Sequence, residues 1–129
     1  GIELGKVVQK NSNDIDIIIP VPISNKKRNY RGFNQCDYIA GGVQQIIKKP
    51  IISDYLLRIN KLNSQINSDR YKRWQKVENQ FITTQKNVAF THVLIVDDVV
   101  TSGATIHSCI KKLSNKNLKV SVAALAKAN

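Results

Sequence analysis

The chain reads as an α/β protein: a doubly wound, mainly parallel sheet flanked by helices. Residues 15–21 are nearly all β-branched and apolar, and Val93 to Val96 are an apolar run that leads into Asp97 and Asp98, the composition of strands buried on both faces. Residues 34–49 and 105–114 carry apolar side chains at helical spacing. Strand and helix patterns alternate along 129 residues without internal repeat or linker, the size of one domain with one core. The expected organisation is therefore a single domain over residues 1–129.

Taken in order, residues 2–10 read as the tail of a helix and 11–14 as a polar turn. Residues 15–21 predict a buried strand that Pro20 and Pro22 end and stiffen. The helix over 34–49 puts Cys36, Ile39, Ala40, Val43, Ile46 and Ile47 on one side, with Lys48 and Lys49 suiting its C-terminus and Pro50 stopping it. Gly41 and Gly42 each weaken it by roughly 1 kcal/mol relative to Ala, and close packing on the sheet is the expected return. Residues 51–59 read as a strand or strand pair, and the polar, aperiodic stretch 60–67 as a mobile loop. Tyr71, Trp74, Val77 and Phe81 repeat at helical spacing and predict a helix over 68–81. The strand over 93–98 is central, the helix over 105–114 buries Ile106, Cys109, Ile110 and Leu113, and 118–125 predict a last strand.

Residues 93–105, Val-Leu-Ile-Val-Asp-Asp-Val-Val-Thr-Ser-Gly-Ala-Thr, carry the most chemistry. A buried strand runs into the paired acids Asp97 and Asp98, and a turn of small hydroxyl residues opens a helix. Carboxylates accept hydrogen bonds from sugar hydroxyls. A helix N-terminus offers backbone N–H groups and a favourable dipole to phosphate. The pattern thus points to a phosphorylated sugar. A Walker B strand would need a Gly-x-x-x-x-Gly-Lys-Ser/Thr loop, and none of the six glycines sits in one. A phosphoacceptor receiver domain would need an acid further on, and no Asp or Glu follows Asp98. A bland alternative stays open, in which Asp98 is a strand-end acid and Thr101 or Ser102 merely caps a helix.

The formal net charge is +11. Lys26, Lys27, Arg28 and Arg31 cluster after the first strand, where open α/β sheets bind their ligands. A second cluster comprises Arg58, Lys61, Arg70, Lys72, Arg73 and Lys76. Such charge fits a polyanion, either a phosphorylated ligand or nucleic acid bound in a salt-sensitive way; for the C-terminal lysines a solvated face is an equal reading. Cys36 and Cys109 each lie on the apolar face of a predicted helix and read as buried free thiols, which suits a reducing, cytoplasmic compartment. No run is long enough to span a membrane, and the chain does not start as a signal peptide does.

Residues 93–105 resemble the phosphoribosyl-pyrophosphate (PRPP) motif of type I phosphoribosyltransferases. Residues 19–35, Ile-Pro-Val-Pro-Ile-Ser-Asn-Lys-Lys-Arg-Asn-Tyr-Arg-Gly-Phe-Asn-Gln, resemble the Pro-Val-Pro and Arg-Gly-Phe-Asn-Gln segments of the ComF (GntX-like) family, named for a competence protein involved in DNA uptake. The likeness runs from about Leu4 to Ala126. It implies a type I phosphoribosyltransferase fold with a small or incomplete hood. It also implies that the cysteine-rich zinc module of the family is missing here, since the chain has no Cys-x-x-Cys pair and its start resembles an internal family segment.

The resemblance further implies a reaction: transfer of the 5-phosphoribosyl group from PRPP, with Mg²⁺, to an unidentified nitrogen acceptor, with release of pyrophosphate. Asp97 and Asp98 would hold the ribose hydroxyls and favour the cationic transition state. Thr101, Ser102, Gly103, Ala104 and Thr105 would cradle the 5′-phosphate. Ser24, Asn25, Lys26, Lys27 and Arg28 would form the pyrophosphate loop, and residues 60–67 a lid. Arg31, Gln35, Arg58, Gln65 and Arg70 are candidate lid or acceptor contacts, although Gly32 and Asn34 also fit a plain turn and helix cap. Lys76 stands where the family tends to show Asn before Val77, which removes one family signal from that helix. A second function class is a non-catalytic DNA-uptake accessory protein with a retained PRPP pocket and a basic surface for single-stranded DNA or competence-machinery proteins. Type I enzymes are often dimers, so a homodimer is among the partners to test.

Overall fold

Strand β1 (Ile17–Pro20) forms where the predicted β-branched run lies and is buried along its whole length. It pairs in parallel with β4 (His92–Val100), Ile17 opposite Val93 and Pro20 opposite Val96. β4 pairs in parallel with β5 (Lys119–Lys127), so β4 is the central strand of an order β1-β4-β5. A single parallel bridge from Ile51 to Ile18 extends the sheet on the outer side of β1. The computed structural model describes residues 1–23, 30, 32–58, 81–84, 89–113 and 117–128.

Alternation along the strands splits the core into two layers. Ile18, Leu94, Val96 and Ala123 face helices α1 (Ile2–Asn11) and α2 (Gln35–Ile47), packing on Val8, Ile39, Ala40 and Val43. Ile17, Ile19, Val93 and Ile95 face α3 (Ala104–Leu113), meeting Ile106, Cys109 and Leu113. Each such aliphatic side chain, once buried, contributes roughly 1.5–3 kcal/mol. With helices on both faces of a parallel sheet, the doubly wound prediction holds.

Several elements depart from the sequence reading. β4 runs on to Val100, two residues beyond the acids, because β5 continues to pair with it through Val99 and Val100. α3 begins at Ala104, one residue before the predicted start at 105. Phe81 is not the end of a helix: it opens β3 (Phe81–Thr83), which pairs antiparallel with β2 (Leu56–Arg58). Its ring is buried in the α3-side core with Tyr55 and Leu56. The remainder of the helix predicted over 68–81, including Tyr71 and Trp74, lies outside the described residues, as does the predicted lid over 60–67.

Gly42 permits close packing on a helix instead of on the sheet. A Cβ there would lie 2.6 Å from the backbone of Gly1, at the start of α1, whereas one on Gly41 would meet open space. No helix among the described residues is long and apolar enough to cross a membrane.

Candidate active site

At the carboxyl end of the sheet, successive residues of β4 send Asp97 and Asp98 to different surroundings. Asp97 is only 8% exposed. Its Oδ1 accepts the backbone N–H of Asp98 at 2.8 Å and the thiol of Cys36 at 3.6 Å. Asp98 is half-buried, and its Oδ1 accepts the N–H of Val99 at 2.7 Å. Burial and the adjoining Asp98 carboxylate push the Asp97 carboxyl above its ordinary value. A buried carboxyl beside a second one is stabilised by whatever brings hydroxyl donors or positive charge to it.

The turn after β4 leads into the N-terminus of α3. Gly103 has φ of 83°, a left-handed conformation that glycine adopts without the Cβ penalty. The Ser102 hydroxyl accepts the N–H of Ala104 at 3.3 Å, so a side-chain oxygen occupies part of the place where an anion's oxygen would bind. His107 N–H then bonds the Gly103 carbonyl at 2.8 Å and starts the helical ladder. Thr101 and Ser102 are exposed, and Thr105 is half-buried.

α2 enters the site from the side. Asn34 caps it, accepting the N–H of Cys36 at 3.0 Å and donating to the Val21 carbonyl at 3.1 Å. The cap pins the helix start to the end of β1 and turns Cys36 towards Asp97. Burial, with Asp97 and Asp98 nearby, raises the Cys36 thiol to about 12. Its Sγ and one oxygen from each acid lie within 4.8 Å of one another. The two carboxylates suit Mg²⁺, a hard ion that prefers oxygen; the thiol does not.

Of the other predicted contacts, Gln35 is the first residue of α2 and lines a cavity with Asp98. Arg58 is held structurally as well: its Nε donates to the Pro22 carbonyl at 3.1 Å, and its guanidinium sits 4.9 Å from the centre of the Phe81 ring. Arg58 also lines a cavity of about 560 Å³ with Pro22, Ile23 and Asn34. The predicted pyrophosphate loop, Ser24 to Arg28, follows Ile23 in the sequence. That loop, Arg31, Gln65 and Arg70 lie outside the described residues. The contact between Cys36 and Asp97 was missed from sequence. Its only signal was the position of Cys36, two residues past a capping Asn.

The phosphoribosyl transferase domain family matches residues 51–129. Competence protein ComFC of Bacillus subtilis is 27% identical over 107 residues, 82% of this chain and 41% of that protein. Competence protein F of Haemophilus influenzae is 29% identical over 100 residues, 76% of this chain and 44% of that protein. The chain therefore spans less than half the length of these curated relatives. The solved adenine phosphoribosyltransferase of Saccharomyces cerevisiae superposes with a TM-score of 0.64 at 11% identity, over 98% of this chain and 66% of that one, a likeness of fold. The chain belongs to the phosphoribosyl transferase domain family.

Proposed function

We propose that the protein binds PRPP with Mg²⁺ and transfers its 5-phosphoribosyl group to a nitrogen acceptor, in a role tied to competence and DNA uptake. One observation carries this reading: the Asp97–Asp98 pair stands at the carboxyl end of the central strand, and the Gly103 turn leads from it into a helix N-terminus. Asp97 and Asp98 accept the ribose 2′- and 3′-hydroxyls. Their charge favours the positive character that develops on the ring as the bond between the anomeric carbon and pyrophosphate oxygen breaks. The acceptor nitrogen supplies the electron pair of the new C–N bond, and its proton passes to the departing pyrophosphate, which keeps the electrons of the broken bond. The turn and first residues of α3, Thr101 to Thr105, hold the 5′-phosphate, and the basic segment Ser24–Arg28 receives pyrophosphate. Mg²⁺, held mainly through ligand and water oxygens with Asp97 and Asp98 as the candidate protein donors, would neutralise phosphate charge when bound. With Cys36 and Cys109 buried as free thiols, the protein suits a cytoplasmic setting, and residues 1–129 act as one domain.

Calorimetric titration with PRPP and Mg²⁺ tests binding, and pyrophosphate release with a panel of nitrogen bases tests turnover. Absence of heat and of any thermal shift in folded protein overturns the proposal. The net charge of +11 supports the second reading, a PRPP-sensing accessory protein that binds single-stranded DNA. It prevails if PRPP binds without turnover while DNA binds with steep salt dependence. Sedimentation tests for a homodimer.

A further inference from the structure

At the opposite end of β4 from the acid pair, side chains from three segments stand in line: His92 at the start of β4, Ser121 near the start of β5 and Asp14 between α1 and β1. Nε2 of His92 is 2.6 Å from the Ser121 hydroxyl, and Nδ1 is 3.0 Å from Asp14 Oδ1. The other Asp14 oxygen accepts from the Lys119 ammonium at 3.4 Å. An ionised carboxylate only accepts, so in a neutral ring Nδ1 carries the proton; Nε2 then accepts, and the serine hydroxyl donates to it. The imidazole is also fixed from its backbone. His92 N–H donates to Asp16 at 2.9 Å, and the His92 carbonyl accepts the Asp16 N–H at 2.8 Å. A hydroxyl, a base that receives its proton and an acid that orients the base are the parts of an activated serine nucleophile.

Access distinguishes this cluster from a core histidine that is merely satisfied. His92 is 1% exposed, whereas Ser121 is half-buried and stands in the wall of a cavity of about 530 Å³. His92 and Ser121 lie two positions before Leu94 and Ala123 on their strands, so they share the sheet face that α1 covers. Leu4, Val8, Ile15, Leu94 and Ala123 bound the cavity there, with Lys119 also in its wall. Its volume falls within the roughly 300–1,000 Å³ of small-molecule sites, and its aliphatic walls disfavour charge. We propose that Ser121 is the nucleophile of a second active site, independent of the phosphoribosyl site, that hydrolyses uncharged carboxylic esters with an aliphatic acyl group. The Ser121 oxygen attacks the ester carbonyl carbon as its proton passes to His92 Nε2. Lys119, two positions away on the same face of β5, offers positive charge to the oxyanion. As the carbonyl re-forms, the bond to the alcohol oxygen breaks, and the alcohol leaves with that electron pair and the His92 proton. Water then gives a proton to His92 while its oxygen attacks the acyl-serine carbon. The serine oxygen departs with its bonding pair and recovers the proton, and the carboxylic acid is released. Ester and water thus become acid and alcohol, with Ser121 and His92 restored.

Two probes test this on the full chain: 4-nitrophenyl butyrate, and a fluorophosphonate, which phosphonylates an activated serine with loss of fluoride. They are applied to wild type, Ser121→Ala and Asp14→Asn, with circular dichroism showing that each is folded. Wild type should hydrolyse the ester and gain a single phosphonyl group, which peptide mapping places on Ser121. Ser121→Ala should lose both the adduct and the hydrolysis. Asp14→Asn should slow hydrolysis by roughly tenfold or more, because the base is no longer oriented. The proposal is overturned if the adduct forms on another residue or not at all. It is overturned equally if Ser121→Ala hydrolyses the ester as fast as wild type, which would make the exposed His107 the source of the rate. A rate in Asp14→Asn equal to that of wild type also overturns it, since Asp14 would then hold His92 for the fold alone. Should Ser121→Ala not fold, the position of the wild-type adduct decides.

Discussion

β4 carries a carboxylate cluster near each end, and the two are built oppositely. At its start, Asp16 accepts the Thr91 N–H at 2.8 Å, the Thr91 hydroxyl at 2.9 Å and the His92 N–H at 2.9 Å. These bonds hold the Asp16 carboxyl below its ordinary value. Beside it, His92 is 1% exposed, with Nδ1 3.0 Å from Asp14 and Nε2 2.6 Å from the Ser121 hydroxyl. Lys119 adds a looser contact to Asp14 at 3.4 Å. At the other end, Asp97 is buried against a second carboxylate and is raised. Acids at the amino end are satisfied within the fold and tie three segments together. Among the described residues, those at the carboxyl end accept from the N–H groups of Asp98 and Val99 and from the Cys36 thiol.

Asp98→Asn should break the ligand end outright. Losing hydrogen bonds to a charged acceptor costs about 1.5–3 kcal/mol, so PRPP affinity should fall by about tenfold to a hundredfold in calorimetry, with the thermal midpoint little changed. Unchanged affinity would remove Asp98 from the sugar site.

Asp16→Ala should do the reverse. The thermal midpoint should fall by several degrees while the protein that remains folded binds PRPP as before. Its effect should also fade in acid. A lowered carboxyl contributes stability above its unfolded value, near 3.8, and loses it as pH falls through the folded value.

Asp97→Asn sharpens the contrast, because the sign is opposite. A raised carboxyl gives its full contribution below the unfolded value, near 3.8, and loses it as pH rises through the folded value. The fold therefore holds the charged form of Asp97 less well than the protonated one. The variant should melt a few degrees above wild type at neutral pH, with the gap closing as pH falls, and should bind PRPP poorly. A variant less stable than wild type across the whole range would show that Asp97 supports the fold.

The smallest effect is expected from Gly103→Ala. No described neighbour lies within 4 Å of the new Cβ, so the expected cost is conformational, about 1–2 kcal/mol for a left-handed residue. Part of it should appear as weaker binding of ribose 5-phosphate by calorimetry. Full retention of both stability and affinity would mean the turn relaxes freely.

Much of this protein was legible locally. The strands could be read because Ile17–Ile19 and Val93–Val96, buried on both faces, are unbroken aliphatic runs. α2 could be read because Asn34, an apolar stripe and Pro50 mark its start, face and end. The acid pair and the glycine turn are adjacent in the chain, so their chemistry appeared as a motif. Phe81 misled because one aromatic at helical spacing from Val77 looks the same whether it ends a helix or opens a strand. What settles it is Leu56–Arg58, the partner strand more than twenty residues away.

Sequence alone therefore determined the layered parallel core and the family's ligand motif, since burial pattern and turn chemistry act between near neighbours. Only the tertiary structure decided that Asp14, His92 and Ser121 share one buried cluster, that Cys36 meets Asp97 across 61 positions, and that Phe33, Tyr38 and Leu125 gather beside Asp98. Such contacts depend on how the helices and β5 pack against β4, and no local preference encodes a distance between segments so far apart.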